Sequence, residues 1–200
     1  MTFQALIRSI QLYVHLENPE ITHLIKDWIN ESILEFCRIN EWEKLKVSDK
    51  ITLDGTGEYS LDNTLLSSVF AGEIALLNSA GEKLTKFNYD TYLATPSKAG
   101  IWAVFGNKLY VEGEGDYYFF YISPGPFGVY PLTDDNAEPP VLLYYWDIIK
   151  QMTIVRVFEY IGDDEALQKE TQRLQFKILS LKAQENRIRK QGKFKMVYRG

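Results

Sequence analysis

Residues 141–161 read VLLYYWDIIKQMTIVRVFEYI. Leu142, Leu143, Tyr145, Trp146, Ile148, Ile149, Met152, Ile154, Val155, Val157 and Phe158 put apolar side chains nearly all the way round a helix. A helix of that kind must be buried on most sides. The rest of the chain therefore has to supply the elements that surround it.

Two of them precede it. Thr2 can cap a helix over 2–16, with Phe3, Leu6, Ile7, Ile10 and Val14 at helical spacing. Asn18-Pro19-Glu20 starts another over 18–39, with Asn18 as cap and Pro19 at the first helical position, where a missing N–H costs nothing. Ile21, Leu24, Ile25, Trp28, Ile29, Ile33, Phe36 and Cys37 line one side of it. One more follows: Gly162 closes the buried helix, Asp163-Asp164-Glu165 caps the next, and a fourth helix runs over 163–189 before Gly192 ends it. Trp28, Phe36, Trp146 and Phe158 are the expected large aromatic members of the shared core.

Between these helices, residues 46–123 change character to short runs of Val, Ile, Tyr and Phe separated by Gly, Asn and Asp, which is the pattern of strands. Pieces are expected over 47–53, 69–77, 83–88, 101–105, 108–112 and 117–122, with Gly106-Asn107 as a hairpin turn. Tyr117-Tyr118-Phe119-Phe120-Tyr121-Ile122 has no polar face, so it is expected to be covered on both sides. Residues 123–140 hold Pro124, Pro126, Pro131, Pro139 and Pro140 with Gly125 and Gly128, which excludes a helix or a central strand. The fold class is α+β: a bundle of about four helices with an inserted antiparallel β region and an extended C-terminal arm over 190–200.

At 200 residues, 46% hydrophobic and 24% charged, the chain can bury a core, and whole-chain disorder is excluded. One cysteine, Cys37, permits no internal disulfide, which together with an N-terminus lacking a secretory pattern predicts maturation in a reducing cytosol. No apolar run is long enough to cross a membrane, which predicts a soluble protein with no membrane partner. The formal charge of −5 is uneven, because residues 182–200 carry +6 and the first 181 carry −11. An acidic body argues against a protein that grips nucleic acid through phosphates. The basic arm suits a macromolecular partner instead: Lys190, Lys193, Phe194, Lys195, Met196, Tyr198 and Arg199 interleave bases with apolar side chains, as an added edge strand would. A merely solvated terminus is the bland alternative.

Constellations that carry chemistry are scarce. His15 and His23, with Glu17 and Glu20 nearby in the chain, lack the spacing of a zinc motif and read as helix-end residues. Nothing resembles a nucleophile elbow, and Cys37 lies on the apolar stripe of its helix. Gly113-Glu114-Gly115-Asp116 and Asp54-Gly55-Thr56-Gly57 read as turns, without a phosphate-binding lysine. Asp134-Asp135 and Asp163-Asp164-Glu165 do not match a calcium loop. No catalytic residue, metal or cofactor is expected. Two competitors follow from residues alone. A carbohydrate-binding or cell-wall-degrading module would use the aromatic strand with Glu112 and Glu114, and a nucleic-acid-binding regulator would use the basic end.

The order of the pieces resembles the head-to-tail adaptors of tailed bacteriophages. The likeness is carried by Thr2-Phe3-Gln4-Ala5-Leu6-Ile7, by Ile25-Lys26-Asp27-Trp28-Ile29-Asn30-Glu31, and by Trp42. It continues through residues 51–61, the hairpin Gly106 to Val111, Leu132 to Pro140, and the junction Tyr160 to Ala166. Leu61 is followed by Asp62 where the family often has proline, and the chain past Leu181 is longer than the common pattern. The resemblance implies an adaptor domain over 1–189 and a docking arm over 190–200. It also implies a ring of self-associated copies, usually twelve, joining the portal protein to a tail or nozzle protein, with DNA only as passing cargo. The setting it implies is the virion neck, after synthesis in the host cytoplasm.

Overall fold

The computed structural model describes residues 2–61, 66, 70–125, 130–138 and 145–197, with side chains through Arg187. The chain order is α1 (Phe3–Val14), α2 (Pro19–Ile39), β1 (Lys46–Asp54), β2 (Glu58–Ser60), β3 (Gly72–Asn78), β4 (Thr85–Lys86), α3 (Tyr89–Ala94), β5 (Ile101–Phe105), β6 (Lys108–Val111), β7 (Glu114–Ile122), α4 (Trp146–Ile161) and α5 (Asp164–Val197). It divides into a helical unit, 1–43 with 127–200, and a β unit, 44–126.

In the helical unit the expected caps are in place. The Thr2 hydroxyl accepts from Ala5 N–H at 3.3 Å, and Asn18 Oδ1 accepts from Glu20 N–H at 2.9 Å. These bonds satisfy donors that a helix start leaves without an intrahelical partner. Phe3, Leu6, Ile7, Ile10 and Val14 of α1 and Ile21, Ile25, Ile29, Ile33, Phe36 and Cys37 of α2 are buried. The central helix α4 packs on α1, α2 and α5 and buries Trp146, Ile148, Ile149, Gln151, Met152, Thr153, Ile154 and Val157 around its circumference. Residues 141–144 of the expected helix lie outside the described residues. Phe36 and Trp146 are buried, whereas Trp28 and Phe158 are only half-buried, with the Trp28 ring 5.4 Å from that of exposed Tyr160. The helical stripe of α2 is wider than its contact with α4, which leaves Trp28 at its rim.

Gly162 ends α4 with φ of +73°, a conformation without penalty for glycine. Asp163 Oδ1 then accepts from Ala166 N–H at 3.0 Å and opens α5. Here one expectation fails. Gly192 does not stop the helix, which continues to Val197, so residues 190–197 are helical rather than extended. A glycine costs a helix interior about 1 kcal/mol, but extending an existing helix is cheap beside nucleating one, and Lys190, Gln191, Lys193, Lys195 and Met196 all favour it. Tyr198 and Arg199 lie outside the described residues.

The β unit holds two sheets rather than one. The first has strand order β1-β7-β3 and the second β2-β6-β5-β4. β4 and β5 pair in parallel, so the region is not wholly antiparallel. The Gly106-Asn107 turn joins β5 and β6, with Phe105 opposite Lys108. Of the expected strand over 83–88 only β4 and a bridge at Lys83 form, because Asn88 Oδ1 accepts from Thr91 N–H at 2.7 Å and nucleates α3 instead. Ile51, Leu53, Leu76, Tyr117, Phe119 and Tyr121 of the first sheet share a core with Tyr59, Trp102, Leu109 and Val111 of the second. α3 lies on the other side of β5, where Tyr92 packs with Ile101 and Ala103.

In β7 the side chains alternate: Tyr117, Phe119 and Tyr121 enter the core, while Tyr118 is 42% exposed and Phe120 half-buried. Within the β unit this strand is therefore sealed on one side, not two. Just before it, Gly113 adopts φ of +132°, and a Cβ placed there would lie 2.5 Å from the Tyr117 hydroxyl oxygen. Gly113→Ala combines backbone strain of order 1–3 kcal/mol with displacement of a buried ring. A loss of about 2–4 kcal/mol in urea unfolding is expected; an unchanged midpoint would show that β7 accommodates the methyl group.

Candidate functional site

α5 is 34 residues long. Its inner side is unusual in that Glu170 and Glu185 are buried there alongside Leu181. A buried carboxylate is tolerated only when it is hydrogen-bonded, and both glutamates have such partners. Glu170 accepts from Tyr13 of α1 at 3.0 Å, from Gln151 Nε2 of α4 at 2.8 Å, and from its own-helix Arg173 at 2.8 Å. Arg173 also donates to the Tyr13 hydroxyl at 2.7 Å. Lys177 adds a bond to Gln151 Oε1 at 3.2 Å and an ion pair with Asp147 at 2.9 Å. Near the far end, Tyr145 donates to Glu185 Oε1 at 3.2 Å. α5 is thus clasped to α1 and α4 through polar groups at two points.

Burial pushes the Glu170 carboxyl up, but the hydrogen bonds from Gln151 and Tyr13 and the charge of Arg173 outweigh it, and the group sits below its ordinary value. Burial first, and then the Glu170 carboxylate, raise the Tyr13 phenol. A carboxylate held low stabilises the fold above the unfolded-chain pKa and loses that contribution as pH falls through the folded value. Glu170→Gln is expected to cost about 1–3 kcal/mol at pH 7. The difference from wild type should shrink below about pH 4.5, the ordinary glutamate range. Urea midpoints at pH 7 and pH 3.5 measure this, and a gap of equal size at both would mean that the charge is irrelevant.

The opposite side of α5 is not covered within the chain: Phe176 is 75% and Leu179 67% exposed. Lys169, Gln172, Arg173, Phe176 and Lys177 line a shallow open groove beside them. In the sequence Phe176 and Leu179 read as members of one apolar set with Leu174, Ile178 and Leu181. At 100° per residue they fall on the other side, and that projection was the available signal. The predicted partner residues Lys190, Lys193, Phe194, Lys195 and Met196 lie on the last turns of the same helix.

Several of the remaining candidates have structural partners. His15 takes the left-handed conformation at φ of 55° and closes α1, its N–H bonding to Gln11 O. His23, Glu17 and Glu20 are exposed at or next to the start of α2. Among the described residues no three His, Cys, Asp or Glu side chains are placed to hold a metal ion. Cys37 is buried, and burial pushes its thiol up to about 12, far from a reactive thiolate. Asp134 Oδ1 accepts from Asn136 N–H at 2.9 Å, and Asp135 pairs with Lys26 at 2.6 Å, so this acidic pair builds a turn and an ion pair. The same segment is anchored to α1 by Phe3 N–H bonding to Ala137 O at 3.0 Å, and to α2 by Asn30 on both polar atoms of the Leu132 backbone. In the turn after β1, Gly55 N–H donates to the Tyr59 hydroxyl at 2.9 Å, and that hydroxyl donates to Gly113 O at 3.3 Å. Glu112 and Glu114 are both exposed. Three of the five rings of the aromatic strand are core residues and present no face to a sugar.

The described residues contain no helix long and apolar enough to cross a membrane. A family model described as SU10 adaptor protein matches residues 1–192, which takes in both units and nearly all of α5. No curated protein matches the chain.

Proposed function

Because the chain belongs to the SU10 adaptor protein family, a family of bacteriophage adaptors, we propose that it is a structural head-to-tail adaptor of the virion neck. In this reading copies of the chain form a ring, a dodecamer by analogy with such adaptors, that binds the portal on one side and a tail or nozzle protein on the other, and DNA passes through its channel. The observation that carries the reading is the family match along residues 1–192. Its charge supports it: −11 over the first 181 residues suits a passage in which DNA slides without sticking. The clasped, partly uncovered α5 supports it as well, because an adaptor needs a rigid element with surface left for partners.

Electron microscopy of the purified full chain, alone and mixed with its portal, tests this. Ring-shaped density stacked on the portal is the expected result. A chain that leaves the portal bare at micromolar excess would overturn it, and saturable binding to cell-wall oligosaccharide in place of the portal would favour the carbohydrate-binding competitor.

A further inference from the structure

The helical unit exposes two apolar patches whose rims carry opposite charge. The first is the outer side of α5. Between Ala166 and Arg187 the only acids are Glu170 and Glu185, and both are buried. The bases are not: Lys169, Arg173 and Arg187 are exposed, and Lys177 and Lys182 half-buried. Lys177 is paired with the exposed Asp147 at 2.9 Å and Arg173 with the buried Glu170 at 2.8 Å, and with Lys169, Lys182 and Arg187 they leave Phe176 and Leu179 beside a groove with a net positive rim. The second patch is at the C-terminal end of α4, where Tyr160 is 59% and Ile161 42% exposed and the Tyr160 ring leans on Trp28. Its neighbours along the chain are acidic and exposed: Asp27, Glu159, Asp163 and Asp164. The nearby Arg156 is already paired with Glu31 at 2.6 Å and Glu35 at 2.9 Å.

Resting on the ring reading, we propose that the Phe176–Leu179 face of α5 seats on the Trp28–Tyr160–Ile161 patch of a second copy of this chain. Apolar area supplies the attraction, and the charged rims set the pairing. Because the rims are of like sign within each patch, neither patch can face itself without repulsion. The contact in this proposal is head-to-tail, one patch of each kind per junction, in place of a two-fold arrangement that would pair both patches at one axis, and a head-to-tail contact that closes makes a ring. The whole-chain charge agrees, since residues 182–200 carry +6 and the rest −11.

Cysteine cross-linking tests the pairing cleanly, because the single native thiol is buried. Full-length Leu179→Cys and Ile161→Cys chains, and the chain with both changes, are treated with a short bis-maleimide, free at high concentration and on portal-bearing heads. The expected result is a ladder of covalent multimers from the double variant in at least one setting, and a dimer from the mixed single variants. Phe176→Asp on the double-variant background should lower the ladder about tenfold, equivalent to about 1.4 kcal/mol, with the circular dichroism spectrum unchanged because that side chain is exposed. No ladder in either setting, a dimer from Leu179→Cys alone, or a ladder indifferent to Phe176→Asp would overturn the pairing. Co-sedimentation of the wild-type chain with portal is scored separately: its failure counts against the adaptor reading and leaves the outcome of the cross-linking unchanged.

Discussion

Trp42→Ala is expected to cost the helical unit about 3–5 kcal/mol, the range for truncating a large buried aromatic. Trp42 is fully buried and stacks on Phe36 with ring centroids 4.6 Å apart and planes 8° from parallel. Tyr145 completes the cluster, 5.0 Å from Phe36 and 5.7 Å from Trp42. The indole also donates through Nε1 to Phe36 O at 2.7 Å. That carbonyl lies in the last turn of α2, where no intrahelical donor remains, so alanine would leave both a cavity and an unpaired buried acceptor. Trp42→Phe separates the two: it keeps most of the packing and should cost about 1–2 kcal/mol for the lost bond. Urea unfolding followed by circular dichroism measures both. A loss under about 1 kcal/mol for alanine would mean that the cluster does not organise the end of α2.

The second large effect concerns attachment rather than stability. Truncation after Arg189 is expected to abolish stable joining to heads while moving the melting temperature by less than about 2 °C. The last buried side chains of α5 among the described residues, Leu181 and Glu185, stay behind. The removed residues include Lys190, Lys193, Lys195 and Arg199 and no acid, a charge that an acidic or portal surface can use. Repetition around a ring would multiply a weak contact through effective concentration, so the loss should be near total rather than graded. Truncated chains that join heads at the full-length rate would remove the docking role, and a large drop in melting temperature would show that the last turns hold the bundle instead.

Much of the helical unit is legible in the sequence because its signals are local. Thr2, Asn18-Pro19 and Gly162-Asp163 punctuate helices by chemistry that acts within one turn, and the all-round apolarity of 146–158 needs only the sequence to be seen. The β unit is half legible: the Gly106-Asn107 hairpin is adjacent in sequence, but the division into two sheets depends on β7 pairing with β1, with Ile51 opposite Tyr117, 66 positions along the chain. The strand expected over 83–88 loses to a single Asn88 cap. The candidate site is least legible. The buried Glu170 is explained by Tyr13, 157 positions away, and no period or motif announces such a bond. The expected extended arm fails on energetics, because Gly192 acts as one residue in a long helix already nucleated rather than as an isolated breaker.

The two ends of the β unit are neighbours. β1 and β7 are antiparallel, Lys46 lies opposite Ile122, and Ser123 N–H bonds to Leu45 O at 3.0 Å. A segment that leaves and returns at one spot closes at little entropic cost whatever its length, and insertions succeed where the chain ends of the inserted piece meet. An insertion or deletion at the far turns of the β unit therefore changes its size or surface at small loop-closure cost, so relatives of one lineage can diverge there without moving the points at which the unit leaves and rejoins the chain.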